Sequence, residues 1–149
     1  SLGATVSLLA AARQPQVRAV IAQSPFISLR AVVRYYAWRF FMLPPPVAML
    51  GIRFFELVTG ARAGDVDVAR AVAGLATTPV LIIGSPHDRQ VPYAWLQQLH
   101  ALLPTSELVT GPYGHDDGTN MDVSDDGDVE HGLAFISAAL AAPSAASSE

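Results

Sequence analysis

The sequence predicts an α/β fold in which a parallel sheet is flanked by helices, and three observations lead to this class. Short runs of β-branched residues alternate with longer helical segments, as in βαβ units. The strongest run, residues 80–83, is apolar at every position, which is typical of a parallel strand buried on both faces. The 149 residues are 51% hydrophobic and 15% charged, a composition that supports one globular core.

A buried helix and a strand open the predicted order of elements. Residues 2–13 are apolar nearly all round the helix, as expected for a helix packed against a sheet, and Pro15 ends it. The β-branched run over residues 17–22 predicts the first strand. At the end of this strand, Pro25 is expected to restrict Ser24 to an extended conformation.

Residues 29–60 predict a pair of amphipathic helices rich in large apolar side chains. The first covers residues 29–42 and is capped by Ser28, and the second covers residues 47–59 and ends at Gly60. Prolines separate the two, and arginines interrupt the apolar runs. The segment therefore lacks the about 20 continuous apolar residues that a membrane-spanning helix needs. Two interpretations stay open: a lid over a binding site, and a helical pair that only covers the core.

The second half of the chain predicts two further strands and three helices, which complete a domain over residues 1–142. Asp67 can cap a short helix over residues 68–75. The strand over residues 80–83 follows this helix. The remaining predicted elements are a helix from Pro92 to Leu103, a strand over residues 107–110, an acidic loop over residues 116–128, a helix over residues 129–142 capped by Asp128, and a disordered tail over residues 143–149.

Composition excludes several classes of function. Nine arginines, no lysine and thirteen acidic residues give a net charge of −4 without a basic cluster, which argues against a nucleic-acid partner. The absence of cysteine removes disulfides, thiolate metal sites and cysteine nucleophiles, and leaves the redox compartment open. The aspartates of the acidic loop do not have EF-hand spacing, so no metal site is predicted, and no cofactor is expected.

Three short stretches carry residues suited to catalysis. Ser1 opens the first helix, Asp88 follows the strand over residues 80–83, and His115 follows the strand over residues 107–110. The 27 residues between Asp88 and His115 accommodate one helix and one strand. Because the carboxyl ends of parallel strands lie at one edge of a sheet, where ligands bind, all three side chains are expected at that edge.

These stretches resemble the functional loops of the α/β-hydrolases, whose triad runs Ser, Asp, His along the chain. Ser1-Leu-Gly3 resembles the end of a G-x-S-x-G nucleophile elbow, Gly84-Ser-Pro-His-Asp88 with Val91-Pro92 resembles the acid loop, and Gly111-Pro-Tyr-Gly-His115 resembles the histidine loop. The resemblance is closest to the dienelactone-hydrolase-like and serine-aminopeptidase-like groups. It implies a serine hydrolase that cleaves an ester or related acyl bond of a small-molecule substrate through an acyl-enzyme.

The resemblance assigns a role to each of these residues. Ser1 would be the nucleophile, His115 the general base, Asp88 the acid that orients His115, and the backbone N–H of Leu2 one donor of the oxyanion hole. The helical pair over residues 29–60 resembles the lid of the family. Substrate-binding residues are then expected just after the first strand and on the first lid helix: Ser24, Phe26, Trp38, Phe40 and Phe41.

The resemblance also implies that the chain is the C-terminal part of a longer hydrolase. In α/β-hydrolases the first glycine of the elbow, the early strands and the second oxyanion donor all precede the nucleophile. Here they would belong to a missing N-terminal half of the same fold. The chain is therefore expected to be a partial domain that starts at its nucleophile.

Two other interpretations stay open. A split or decayed hydrolase half could act without catalysis, as a binding module that pairs through an exposed sheet edge. An N-terminal-nucleophile hydrolase would use the α-amine of Ser1 as its base, which would leave Asp88 and His115 without a role. Among the other histidines, His87 lies beside Asp88 on one loop, and His100 and His131 fall in predicted helices.

Overall fold

Three parallel strands form the centre of the computed structural model, which describes residues 1–112, 115 and 126–142. Helices lie on both sides of the sheet, so the predicted α/β class is confirmed. In chain order the elements are α1 (Leu2–Ala11), β1 (Val20–Gln23), α2 (Leu29–Phe41), α3 (Pro45–Thr59), α4 (Val68–Ala71), β2 (Val80–Gly84), α5 (Tyr93–Leu102), β3 (Ser106–Thr110) and α6 (Asp126–Ala141), with 3-10 turns at Ala63–Asp65 and Val72–Leu75.

The strand order is β1-β2-β3, and both pairs are parallel. All three carboxyl ends therefore lie at the same edge of the sheet. The ladder also continues one residue past each outer strand: Ser24 N donates to Ile83 O at 2.8 Å, and Gly111 N donates to Gly84 O at 2.9 Å. These bonds fix the starting points of the loops that leave this edge.

The two faces of the sheet are covered by different helices. Val80 and Ile82 point to one face, where they join a buried cluster with side chains of α1, α4 and α5. Leu81, also fully buried, points to the other face. There α6 crosses the sheet, with Gly132 beside the side chain of Ile21. Of the three strands, β2 is therefore buried on both faces, as its apolar pattern predicts, whereas β1 is buried on one face and the residues of β3 are half-buried or exposed.

Three local capping signals predict helix ends correctly. Ser28 Oγ accepts a hydrogen bond from Ala31 N at 3.2 Å at the start of α2, and Asp67 Oδ1 accepts one from Arg70 N at 3.2 Å at the start of α4. Gly60 ends α3 with φ of 72°, a left-handed conformation that glycine adopts without strain. Each of these helix caps depends only on residues that are close to it in sequence.

Several predicted element boundaries are wrong: α1 ends at Ala11, two residues before its predicted end, and the predicted helix over residues 68–75 is α-helical only as far as Ala71. β1 begins at Val20, because Val17 N instead donates to Gln14 O at 3.0 Å in the turn after α1. α3 begins at Pro45, since proline fits the first positions of a helix, where no N–H bond is needed. α6 begins at Asp126, so Asp128 lies inside this helix and does not cap it.

Other predictions fall on parts of the chain that the structure does not describe. Most of the predicted acidic loop, residues 116–125, lies outside the described residues, and so does the predicted tail over residues 143–149. The same holds for Tyr113 and Gly114 of the histidine loop.

Ser24 does not adopt the extended conformation expected before Pro25. Its φ is 44°, in the left-handed region that residues other than glycine rarely enter. Tertiary hydrogen bonds on both sides hold it there, from Ser24 N to Ile83 O and from Phe26 N to the hydroxyl of Thr5. Such a conformation costs on the order of 1–3 kcal/mol and is found most often at functional sites.

Candidate active site

The loop that follows β2 places Asp88 directly at the carboxyl edge of the sheet. Ser85 Oγ accepts a hydrogen bond from His87 N at 3.1 Å, and Ser85 O accepts one from Asp88 N at 3.2 Å. Gly84 allows this turn to sit close to α5, because an added Cβ would lie 1.9 Å from Leu96 Cδ2. The acid loop is therefore a tight turn fixed by its own polar groups and by α5.

The two carboxylate oxygens of Asp88 have separate partners. Oδ1 accepts hydrogen bonds from Gln90 N and Val91 N, both at 2.8 Å, and so closes the loop onto the start of α5. Oδ2 lies 2.8 Å from His115 Nδ1. The side chain is 3% exposed, and a carboxylate this buried requires such partners. One oxygen thus fixes the loop, and the other holds the imidazole.

His115 is held by this bond in a defined orientation. A carboxylate only accepts hydrogen bonds at neutral pH, so His115 Nδ1–H is the donor. In the neutral ring, Nε2 is then the acceptor. Asp88 and His115 are therefore brought together at one edge, as expected from the strand order. Their catalytic roles remain predictions.

Ser1 lies near the same edge, at the start of α1. It is the N-cap of the helix, and Ser1 O accepts the first helical bond from Thr5 N at 3.0 Å. The Asp88 carboxylate acts electrostatically on the backbone nitrogen of Ser1, an effect that requires the two groups to be near each other. The Ser1 hydroxyl forms no hydrogen bond with any other described residue.

The first turn of α1 presents free N–H groups beside Ser1. The first N–H groups of any helix lack an intrahelical acceptor and lie at the positive end of the helix dipole. The N–H of Leu2 is one of them, and its side chain is exposed. An added Cβ at Gly3 would have no described atom within 4 Å, so close packing in this part does not require the glycine.

Thr5 was not anticipated as part of this site, although it anchors the segment after β1. It is completely buried, accepts a hydrogen bond from Phe26 N at 3.0 Å and donates its hydroxyl to Phe26 O at 3.4 Å. Ser24 and Phe26, two of the predicted substrate-binding residues, are 8% and 5% exposed. Their segment is thereby tied to α1, four residues from Ser1. The sequence signal that could have indicated this role is a single threonine in a helix that is predicted to be buried and apolar.

Two tyrosines tie the loops of the site to neighbouring helices, and sequence patterns did not single them out for this role. Tyr35 of α2 donates its hydroxyl to Arg89 O at 3.0 Å, directly after Asp88, and its ring packs edge-on against Trp95 of α5 at 5.6 Å. The hydroxyl of Tyr93 lies 2.6 Å from Thr110 Oγ1, where the chain leaves β3 towards His115. These contacts brace the acid loop and the start of the histidine loop.

The other predicted substrate-binding residues lie on the last part of α2. Trp38, Phe40 and Phe41 are 60%, 52% and 72% exposed. Phe40 packs against Tyr36 at 5.4 Å, and the guanidinium of Arg39 lies over its ring. No hydrogen bond or ring contact in the described part of the chain joins these side chains to the Asp88–His115 pair. Their role in substrate binding stays a prediction.

Polar clusters elsewhere do not form a metal site within residues 1–112, 115 and 126–142. No group of three histidine, aspartate or glutamate side chains in this part is arranged to hold an ion. Of the other histidines, His87 lies on the acid loop next to Asp88, and the rings of His100 and His131 have polar partners elsewhere. His100 Nδ1 lies 2.8 Å from Ser106 Oγ, and His131 Nε2 lies 2.8 Å from Glu107 Oε1.

Comparison with known proteins supports the fold. No family model and no curated protein sequence matches the chain. Among solved structures, it is similar to an esterase from Pyrococcus furiosus, with a TM-score of 0.60 and 19% sequence identity. The similarity covers 90% of this chain and 49% of the esterase, so the chain spans about half the length of that protein. At this identity, the likeness shows a shared fold.

Proposed function

We propose that this chain supplies the catalytic residues of a serine hydrolase that cleaves an ester or related acyl bond. The hydrogen bond of 2.8 Å between Asp88 Oδ2 and His115 Nδ1, beside the start of α1, carries the proposal. The structural similarity to an esterase supports it. Because one fold can serve many functions, the argument rests on these side chains.

The proposed reaction begins with proton transfer from Ser1 Oγ to His115 Nε2 while Oγ attacks the acyl carbon. Asp88 stabilises the imidazolium that forms, and the N–H of Leu2 donates to the oxyanion. Collapse of this intermediate breaks the bond to the leaving alcohol, which takes the proton from His115. Water then gives a proton to His115 and attacks the acyl carbon of the acyl-enzyme. His115 passes this proton to Ser1 Oγ as the bond from Oγ to the acyl carbon breaks, which releases the acid and restores the Ser1 hydroxyl.

We also propose that the active enzyme is a longer polypeptide with the dienelactone-hydrolase-like or serine-aminopeptidase-like arrangement. The matching esterase is about twice as long as the region it shares with this chain. Within the described residues, β1 pairs only with β2, so its other edge has unpaired N–H and C=O groups that a further strand would satisfy. The second oxyanion donor would lie in that additional part.

Hydrolysis of p-nitrophenyl acetate by the polypeptide that the complete gene encodes tests this function. We expect turnover that a serine-reactive fluorophosphonate abolishes, since the inhibitor requires an activated serine. Turnover that survives the inhibitor would contradict a serine mechanism. A folded protein without turnover on acetyl, butyryl or octanoyl esters would favour the non-catalytic binding module.

The aromatic end of α2 is proposed as a wall for an apolar acyl or aryl group. Removing the ring of Phe41 should lower kcat/KM for an octanoyl ester more than for an acetyl ester, because each buried methylene is worth about 0.8 kcal/mol. Steady-state kinetics of Phe40→Ala and Phe41→Ala over a series of acyl lengths measures this difference. An equal loss at every length, together with a lower Tm, would leave only a packing role.

A further inference from the structure

Helix α3 carries a second apolar face that the described part of the protein does not cover. Its buried residues, Ala48 and Ile52, lie on one side of the helix. At about 100° per residue, the opposite side carries a stripe of large apolar residues. The exposed fractions in this stripe run from 49% at Val47 to 83% at Leu57. Its members are Val47, Leu50, Phe54, Leu57 and Val58.

The end of α2 extends this apolar character. Trp38 and Phe41 lie one turn apart on α2, and Met42 ends the helix; all three are at least 60% exposed. Together with the stripe on α3 they are named here the hairpin surface. Isolated exposed apolar residues are ordinary, but a concentration of this kind marks an interaction site. The hairpin surface consists of Trp38, Phe41, Met42, Val47, Leu50, Phe54, Leu57 and Val58.

The charge of this segment is opposite to that of the rest of the chain. Residues 29–60 contain four arginines and one carboxylate, Glu56, for a net charge of +3; the other residues contain five arginines and twelve acids, for −7. Glu56 already pairs with both Arg30 at 3.4 Å and Arg53 at 3.2 Å. Arg34 and Arg39 are exposed, and neither forms an ion pair with a described carboxylate.

We propose that the hairpin surface docks on an anionic lipid bilayer. Apolar side chains beside arginines suit the boundary between headgroups and acyl chains, where the rings leave water and the guanidinium groups meet phosphates. A second copy of the chain fits this surface less well, because two segments of charge +3 would oppose each other.

Docking of this kind is peripheral. None of the helices in the described part of the chain has the length and apolar character needed to cross a bilayer. The arginines contribute an electrostatic attraction to the bilayer, which salt screens. The apolar stripe contributes a hydrophobic part of the binding free energy, which salt does not weaken. Binding is therefore expected to require anionic lipid and to fall, without vanishing, as salt rises.

Sedimentation with lipid vesicles tests the proposal in the polypeptide that the complete gene encodes. We expect binding to vesicles of phosphatidylcholine with phosphatidylglycerol, and at least tenfold weaker binding to phosphatidylcholine alone. The double variant Arg34→Gln/Arg39→Gln should bind about 25-fold more weakly, at about fivefold per arginine. Phe54→Ser/Leu57→Ser should bind at least about tenfold more weakly.

Matched variants control for charge and apolar area elsewhere. Arg13→Gln/Arg70→Gln removes the same charge from exposed sites outside the hairpin, and Leu133→Ser/Leu140→Ser removes exposed leucines from α6. Both should bind vesicles like the parent protein, and all variants should melt cooperatively. The arginine variants change only exposed side chains, so the test stands even where a serine variant unfolds.

Several results would overturn the docking proposal. No binding to either vesicle would do so, whether because another segment covers the hairpin surface or because it has no affinity for lipid. Equal weakening in Arg13→Gln/Arg70→Gln would assign binding to overall charge. A lipid-free dimer by light scattering that Phe54→Ser/Leu57→Ser converts to monomer, without vesicle binding, would assign the surface to a second copy. The Ser1→Ala variant should bind like the parent, so docking and catalysis fail separately.

Discussion

Replacing His115 by alanine is expected to lower kcat for a short-chain p-nitrophenyl ester by about 10⁴-fold or more. The reason is that Ser1 Oγ is a poor nucleophile near pH 7 unless a base removes its proton. Ser1→Ala should cause a loss of similar size. Because the two residues act as a unit, the double variant should be little worse than either single one. Steady-state kinetics of the three variants gives this comparison.

His87→Ala is the matched control for this prediction. His87 lies next to Asp88 in sequence, but its described contact is the backbone bond from His87 N to Ser85 Oγ. Its imidazole is therefore not required for the Asp88–His115 pair. Retained turnover in His115→Ala would contradict the assignment, and a large loss in His87→Ala alone would identify the other histidine as the base.

Two substitutions at Asp88 should separate catalysis from stability. In Asp88→Asn, the amide oxygen can still accept hydrogen bonds from Gln90 N and Val91 N, so the loop is kept. The amide NH₂ then faces His115 Nδ1 and makes this atom the acceptor, which places the proton on Nε2. We expect kcat to fall by about 10⁴-fold through this change of tautomer, with little change in Tm.

Asp88→Ala should lose stability as well as activity. It leaves two N–H groups of the acid loop without their acceptor, at a cost of about 1–3 kcal/mol each where they are buried. Thermal and urea unfolding, measured beside kinetics, distinguishes the two variants. Asp88→Asn with activity within tenfold of the parent would show that the charge of Asp88 does not serve catalysis. Equal stability of both variants would contradict the loop-closing role of Oδ1.

The sequence predicts those features that depend on neighbouring residues. Ser28 and Asp67 cap their helices as expected, because a cap needs only a side chain and an N–H three residues later. The edge that gathers Asp88 and His115 follows from the order of two parallel strands. The alternation of strands with helices along the chain, together with the apolar run of β2, was sufficient to predict the parallel sheet.

The features that sequence patterns miss depend on contacts between distant residues. The left-handed conformation of Ser24 depends on Ile83 and on Thr5, which lies 21 residues before Phe26. The hydrogen bond from the Tyr35 hydroxyl to Arg89 O joins residues that are 54 positions apart in sequence, and no local periodicity predicts it. The sequence predicts Asp128 as the cap of α6, because aspartate favours that position, but the helix starts two residues earlier, at Asp126. Tertiary contacts decide the conformation of Ser24 and the position of the Tyr35 side chain.

Covalent labelling of the nucleophile tests the central claim most directly. The polypeptide that the complete gene encodes is treated with a fluorophosphonate, digested and mapped by mass spectrometry. The proposed mechanism predicts one adduct, on Ser1 Oγ, that is lost in His115→Ala and retained in His87→Ala. An adduct on another serine, such as Ser24 at the same sheet edge, or no adduct on Ser1 in an active preparation, would contradict it.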